Sequence, residues 1–182
     1  MSDTFNNAIT VTTKWNVFGR VVIFSRLPEN LEEIKTLDIT NEYIAASAVI
    51  AALAAYEKDP EESYKMLDYM MGPEDINPYT KSFIADQLKA YPYTIRSYFK
   101  GTSPEENYVL PEGPAKLIWS ENRYSRQEEG YIKLWIESSG ADSERQLTLR
   151  LKPSTGQWFL FSDTYKPLLS GIKMPKALDK WA

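Results

Sequence analysis

The clearest pattern in the chain is an alternation of apolar and polar residues in its C-terminal third. Leucine occupies every second position in the middle of residues 145–152, with polar residues between. A period of two is typical of a strand with one buried face. The pattern predicts four strands, the last two joined by a tight turn at residues 153–156: Ala115 to Ser120, Gly130 to Ser138, Arg145 to Lys152 and Gln157 to Ser162. We therefore predict an antiparallel meander.

The middle of the chain has the spacing of apolar residues and the capping residues that are typical of helices. Residues 28–37 predict a short helix, and Thr40 is the predicted N-cap of an alanine-rich helix that runs to about Glu57. Asp59-Pro60 and Asn77-Pro78 each combine an N-cap with a proline at the first helical position, which predicts two further helices. Small residues let another backbone approach closely, so we expect the alanine-rich helix to be central.

These elements predict an α+β fold, with three or four helices packed on one antiparallel β-meander. Residues 8–27 are rich in β-branched and aromatic residues and predict one or two strands, without deciding whether these join the sheet. A length of 182 residues suits a single domain. Its predicted parts are an N-terminal strand region (1–27), a helical region (28–91), a proline- and aromatic-rich loop (92–114), the meander (115–165) and a basic C-terminal tail (166–182).

Composition removes most catalytic chemistry, because the chain has no histidine and no cysteine. Histidine is the usual base near neutral pH, and cysteine supplies the thiolate of nucleophilic and soft-metal sites. The Ser-x-x-Lys motif, in which a lysine would serve as the base for a serine, occurs at Ser97 and at Ser170. In a chain this rich in serine and lysine the motif is expected by chance and has little weight. No glutamate pair is placed for acid–base work and no phosphate-binding loop is present. We assign no catalytic residue, metal site or cofactor, and this counts mildly against catalysis.

One candidate binding loop joins two predicted strands, from Gly140 to Arg145. Ser143, Arg145 and backbone amides there have the chemistry to hold an anion. The alternative, which we favour, is an ordinary connection in which Gly140 takes an unusual φ and a polar side chain bonds to nearby backbone.

A second candidate lies in the proline-rich loop, where tyrosines and one arginine cluster in sequence. Such residues could line a pocket for a sugar, a base or an aromatic ligand. The favoured alternative is that the rings fasten the loop to the core. The residues concerned are Tyr93, Arg96, Tyr98 and Tyr108.

The polar face of the meander is a candidate surface for binding a partner. Lys133, Arg150 and Lys152 lie near Tyr131 and Trp135 on that face, which is the composition of a nucleic-acid stacking platform. A net charge of −4 argues against nucleic acid, and we expect none. The tail either lies back over this aromatic face or docks on a second subunit, so an unknown protein partner or self-association is expected.

Several short motifs are distributed along the chain. They include Arg96-Ser97-Tyr98-Phe99-Lys100-Gly101, Gly130-Tyr131-Ile132-Lys133-Leu134 and Leu169-Ser170-Gly171-Ile172. Together they resemble a family of small bacterial proteins known only as a domain of unknown function. The resemblance reaches back to residues 31–35 and implies a cytoplasmic α+β protein with no established activity; it supplies no site residues. The last hairpin also resembles those of cystatin-like or nuclear-transport-factor-like rolls, by pattern only.

These observations favour a non-catalytic binding or interaction module of the bacterial cytoplasm. The first residues have no positive segment followed by an apolar one, and the longest apolar stretch, Ile44 to Tyr56, is too short to span a bilayer. The alternative is a small-molecule-binding sensor or enzyme with a tyrosine, arginine and carboxylate pocket. A third possibility is a structural subunit of a larger assembly.

Overall fold

A single antiparallel sheet forms one layer of the molecule, and helices cover one of its faces. The computed structural model describes residues 8–182. Within them the strands follow one another in chain order, so the sheet is a six-stranded meander. The α+β prediction is confirmed. The strands are β1 Val11–Asn16, β2 Gly19–Phe24, β3 Ala115–Ser120, β4 Tyr131–Ile136, β5 Arg145–Lys152 and β6 Gln157–Leu160.

The N-terminal segment forms a hairpin that joins the sheet, which the sequence left undecided. β1 pairs with β2 over six residues, and β2 pairs with β3. Asn16 shapes the turn, because its Oδ1 accepts from the N–H groups of Phe18 (2.8 Å) and Gly19 (3.1 Å). A Cβ on Gly19 would lie 2.2 Å from the carbonyl oxygen of Trp119, so glycine allows the hairpin to approach β3.

The sheet is nearly divided between β3 and β4. The register contains two residue pairs there, Trp119 with Ile136 and Ser120 with Trp135. On both sides of this contact, loop backbone forms hydrogen bonds in place of strand pairing. Lys100 N donates to Lys116 O, Lys133 N to Ser125 O, and Ser139 N to Ser97 O, at 2.9–3.0 Å. Loop backbone therefore supplements the short strand pairing between the two three-stranded halves.

Four α-helices occupy residues 31–90, where the sequence predicts them. They are α1 Leu31–Ile34, α2 Glu42–Ala54, α3 Pro60–Met70 and α4 Pro78–Ala90. The caps at Asp59 and Asn77 are confirmed, since their side chains accept from the N–H groups of Glu62 and Thr80. The predicted cap at Thr40 is wrong, because Asn41 extends its side chain to the N–H groups of Tyr43 and Ile44.

Helix α2 lies at the centre of the molecule, as its small residues predict. Every residue from Tyr43 to Leu53 is buried. Trp119 of β3 donates its Nε1–H to Ser47 Oγ at 2.9 Å, and Ser47 Oγ donates to Tyr43 O at 2.7 Å. This chain of bonds joins α2 to the sheet. No helix within residues 8–182 combines the length and the apolar character needed to cross a membrane.

The C-terminal tail does not lie over the outer face of the sheet, so the first of its two predicted placements is wrong, and docking on a second subunit stays a prediction. Leu168 and Leu169 instead enter the core beside the start of β5. Further along, Ala177 N donates to Asn107 Oδ1 at 2.7 Å. The apolar residues early in the tail have a buried site available, and this draws the tail to the proline-rich loop.

Candidate functional site

The two loops singled out by sequence meet at one open groove. The proline-rich loop contributes Ser103 to Glu105, the β4–β5 connection contributes Ser139 to Asp142, and the tail contributes Gly171 to Lys173. The groove has a volume of about 540 Å³ and a mainly polar lining. The three segments are far apart in sequence, so the sequence alone does not show that they form one groove.

The candidate tyrosines lie behind this groove rather than in it. Tyr93, Tyr98 and Tyr108 are each at most 3% exposed. Tyr93 and Tyr108 stack with ring centroids 5.7 Å apart and planes 10° apart. Tyr98 Oη donates to Leu168 O and Tyr108 Oη to Lys173 O, both at 2.7 Å. The rings therefore fill space, and two of the hydroxyls hold the tail.

Burial sets the protonation of these phenols. It raises the pKa of Tyr108 to about 12, with smaller contributions from nearby Tyr93 and Glu105. It also raises the pKa of Tyr98 and of Tyr93 above the usual value for tyrosine. All three are neutral at physiological pH, and Tyr98 and Tyr108 act as hydrogen-bond donors, not as bases.

Arg96 lies beside the tyrosines with its charge already paired. Its Nε is 2.9 Å from Glu57 Oε1, and its Nη1 is 3.4–3.5 Å from the carbonyl oxygens of Asn107 and Tyr108. Asn107 and Tyr108 both have left-handed backbone, with φ of 57° and 55°. That conformation costs about 1–2 kcal/mol for a non-glycine residue. Arg96 and the tail contacts hold the loop in it.

Arg145 and Ser143 also form internal contacts. The Arg145 guanidinium donates to Ser143 O (2.9 Å), Ser143 Oγ and Pro167 O (both 3.1 Å), and Ser170 O and Gly171 O (both 3.3 Å). Most of its N–H donors are thus directed at the tail backbone, and the structure gives this arginine a positioning role.

The structure shows a different reason for the glycine at position 140 than the sequence predicts. Its φ is not in the left-handed region, so the expectation of an unusual φ is wrong. A Cβ at this position would lie 2.1 Å from Tyr108 Oη, and only glycine leaves room for the phenol. The glycine is required by its close packing against Tyr108.

The structure reveals an exposed feature that the sequence analysis did not single out, at the tip of the β1–β2 hairpin. Trp15 is 60% exposed, Val17 92% and Phe18 70%. These residues lie within a stretch that the apolar pattern assigns to strands, so their exposure is not visible from composition. We call Trp15, Val17 and Phe18 the hairpin tip.

An apolar recess of about 270 Å³ lies between the end of α3 and the β5–β6 hairpin. Met71, Pro73 and Phe159 line it, with Arg150 at its edge. In residues 8–182, no three acidic side chains come together in a way that could hold a metal ion.

The fold and these features define a small α+β protein. The candidate side chains of Tyr98, Tyr108 and Arg145 bond to its own backbone, and its hairpin tip exposes apolar side chains. Residues 26–176 match a family described as a domain of unknown function, DUF6935. The match spans most of the chain, so the protein belongs to this family, which confirms the resemblance to an uncharacterised domain. The matched residues begin after β2, so the hairpin tip lies outside them. Searches of curated proteins and of solved structures found no match.

Proposed function

We propose that this protein is a non-catalytic interaction module that binds a protein partner through the hairpin tip. The observation that carries the proposal is the exposure of three large apolar side chains within four residues, at 60%, 92% and 70%. A cluster of exposed aromatic and aliphatic residues at one projection is typical of an interaction anchor. The setting that we propose is the bacterial cytoplasm, as the family resemblance implies.

The hairpin tip is held in place before any partner binds. The ring of Trp15 packs edge-on against Tyr43 of α2, with centroids 5.8 Å apart. The Arg20 guanidinium lies 5.0 Å from the Trp15 ring centroid and 5.6 Å from that of Tyr43. A preorganised anchor loses little conformational entropy on binding, and this favours affinity.

The base of the hairpin tip also offers a positive charge. Arg20 donates to Thr13 Oγ1 at 2.8 Å, and no carboxylate within residues 8–182 lies within ion-pair distance of it. Arg123 on the neighbouring β3–β4 loop contacts the ring and hydroxyl of Tyr124 and likewise has no carboxylate partner in that part of the chain. Aromatic residues and arginine are the residue types enriched in protein interfaces.

The sensor or enzyme alternative has weaker support. It needs a pocket lined by tyrosine, arginine and a carboxylate, and Arg96, Glu57 and the tyrosines do come together. Their polar groups contact each other and the backbone, and the rings are buried. A ligand would have to displace these contacts before it could bind.

The proposal is tested by comparing what the wild type and a hairpin-tip variant retain from a bacterial lysate. Replacing Val17 and Phe18 by serine leaves the strand pairing intact, because both residues are in the exposed turn. Val109→Ser is the matched control, since Val109 is 62% exposed elsewhere on the surface. We expect a protein retained by the wild type and the control to be lost by the tip variant.

Self-association is resolved in the same experiment by light scattering. A dimer of the wild type that dissociates in the tip variant identifies the partner as a second copy of this chain. If the tip variant retains the same proteins and the same mass as the wild type, the proposal is wrong.

A further inference from the structure

Charge is segregated in this protein between the sheet and the rest of the chain. The six strands that lie within residues 8–182 contain seven Lys and Arg residues and no Asp or Glu. The remainder of the chain therefore has 14 basic residues against 25 acidic ones. Lysine, aspartate and glutamate are all uncommon in strands, so strand propensity does not explain why one sign is missing.

Five of the seven basic side chains share the face of the sheet that carries no helix in the described part of the chain. The register places them on the face opposite Val22, Leu117 and Leu134, which belong to the core. Val21 and Thr148, which pair with Lys14 and Lys133 on the outward face, are themselves buried. All five are exposed. They are Lys14, Lys116, Lys133, Arg150 and Lys152. The other two, Arg20 and Arg145, are at inward positions.

These five cations are not neutralised by the protein. Within residues 8–182, no carboxylate lies within 4.0 Å of any of them. Glu137 and Glu144 at the border of the face have other contacts, since Glu137 is 3.6 Å from Lys100 Nζ and Glu144 accepts from Ser120 Oγ at 3.2 Å. Glu74 lines the same recess as Arg150 and Lys152 but forms no ion pair with either. An acidic protein thus presents one open, positively charged face.

We propose that this open face binds an acidic segment of a partner protein. The inference rests on the proposed function, because the hairpin that carries the tip also carries Lys14, which points to the open face while Trp15 points to the opposite, helix-covered side. The five cations provide charge complementarity to glutamate and aspartate side chains laid across the strands. The apolar tip would anchor the partner, and the face would select an acidic neighbouring segment.

The structure favours carboxylates over nucleic acid on this face. Single-stranded nucleic acid needs free aromatic faces on which bases stack. The ring of Tyr131 already meets Phe161 edge-on at 5.0 Å and has Arg150 at 5.7 Å, and Trp135 is half-buried.

The test measures the binding of a fluorescein-labelled oligoglutamate peptide by fluorescence anisotropy. The face variant is Lys133→Gln with Arg150→Gln, and the matched control is Lys176→Gln with Lys180→Gln, two exposed tail lysines that give the same change in net charge. We expect the face variant to bind about tenfold more weakly and the control to change less than about twofold. We also expect wild-type binding to weaken as NaCl is raised, because exposed charges are screened.

Equal loss in the face variant and the control, or binding that salt does not affect, would overturn the inference. An oligothymidylate that binds the wild type more tightly than the peptide, and that the face variant loses, would assign the face to nucleic acid instead.

The hairpin-tip variant separates this inference from the proposed function. Val17→Ser with Phe18→Ser should still bind oligoglutamate, which has no apolar side chain to engage the tip. If this variant loses its lysate partner and the face variant keeps both partner and peptide, the proposed function stands and the inference fails. If the face variant alone loses the peptide and the tip variant keeps every lysate protein, the proposed function fails.

Discussion

Gly140 and Tyr108 show how a single residue is selected by a distant neighbour. The phenol of Tyr108 lies behind the groove and donates to Lys173 O, and its Oη occupies the space of a side chain at position 140. The sequence suggests a glycine that bends a turn, since glycine is common there. The backbone at Gly140 is one that any residue can adopt, so the requirement is entirely for space.

For this residue we predict that Gly140→Ala destabilises the protein by about 2 kcal/mol, because overpacking a filled site costs about 1–3 kcal/mol. Gly113→Ala is the contrast, since Gly113 has a left-handed φ of 91° and open space around it. That change adds backbone strain alone, about 1–2 kcal/mol. Urea unfolding followed by circular dichroism measures both.

A Tyr108→Phe background isolates the hydroxyl. The nearest obstacle to a Cβ at Gly140 is then removed, although Ile172 Cγ2 remains at 2.8 Å. Gly140→Ala should cost less in this background than in the wild type. The same cost in both backgrounds would show that the Tyr108 hydroxyl is not the obstacle.

Helix α2 is the element around which the others assemble. Its alanine-rich surface lets the sheet and α3 approach from different sides, and its contacts reach strands of both halves of the sheet. One polar link crosses this otherwise apolar packing, from Trp119 of β3 to Ser47 of α2. Because both residues are fully buried, no water replaces a lost partner at that point.

For this element we predict that Ser47→Ala lowers the free energy of unfolding by about 1–3 kcal/mol, since the buried indole N–H loses its acceptor. Ser63→Ala is the control. Ser63 Oγ donates to Ala52 O at 2.7 Å, so its removal leaves no side-chain donor unsatisfied, and a net loss of about 1 kcal/mol is expected. Urea unfolding followed by far-ultraviolet circular dichroism gives the comparison.

The pairing itself is tested by a double-mutant cycle. Trp119→Phe removes the donor, so Ser47→Ala should cost less in that background than in the wild type. Additive losses would show that the two side chains do not stabilise each other.

The whole molecule has an unusual titration behaviour because it lacks histidine and cysteine. Between the carboxylates and the tyrosines and lysines, no side chain of the chain has an ordinary pKa. Burial, as the largest cause, raises the pKa of Tyr43, Tyr64 and Tyr108 to about 12 in the folded state. The hydrogen bond from Tyr43 to Glu121 adds to the effect at that residue.

We predict that stability is nearly constant from about pH 6 to about pH 9 and then falls steeply. An unfolded tyrosine loses its proton near pH 10, whereas these three keep theirs until about pH 12 when folded. In that window the unfolded state binds fewer protons than the native state, so the free energy of unfolding decreases as the pH rises. Urea midpoints between about pH 7 and about pH 11 measure this dependence.

Tyr108→Phe is the control for the alkaline slope, because it removes one of the raised phenols and should make the decline shallower. Phenolate absorbance gives a second readout, which should increase together with unfolding. Tyrosines that all ionise near pH 10 in a protein with native circular dichroism would contradict the prediction.

The sequence predicted the elements governed by local rules. Alternating leucines identify β5, and the caps at Asp59 and Asn77 locate α3 and α4, because side-chain period and capping act over a few residues. The error at Thr40 is also local: two neighbouring polar side chains compete to cap α2, and Asn41 prevails. Sequence reasoning could not see that Trp15, Val17 and Phe18 project, since an apolar run does not show where a hairpin turns.

By itself, then, the sequence determined the fold class, most of the strands and helices, the family resemblance and the lack of histidine and cysteine chemistry. Only the tertiary structure decided that Tyr98, Tyr108 and Arg145 hold the tail, that β1 and β2 join the sheet, and that five cations share its open face. The reason is physical: secondary structure follows from interactions between near neighbours, whereas a surface or a site depends on strand register and on contacts between distant segments.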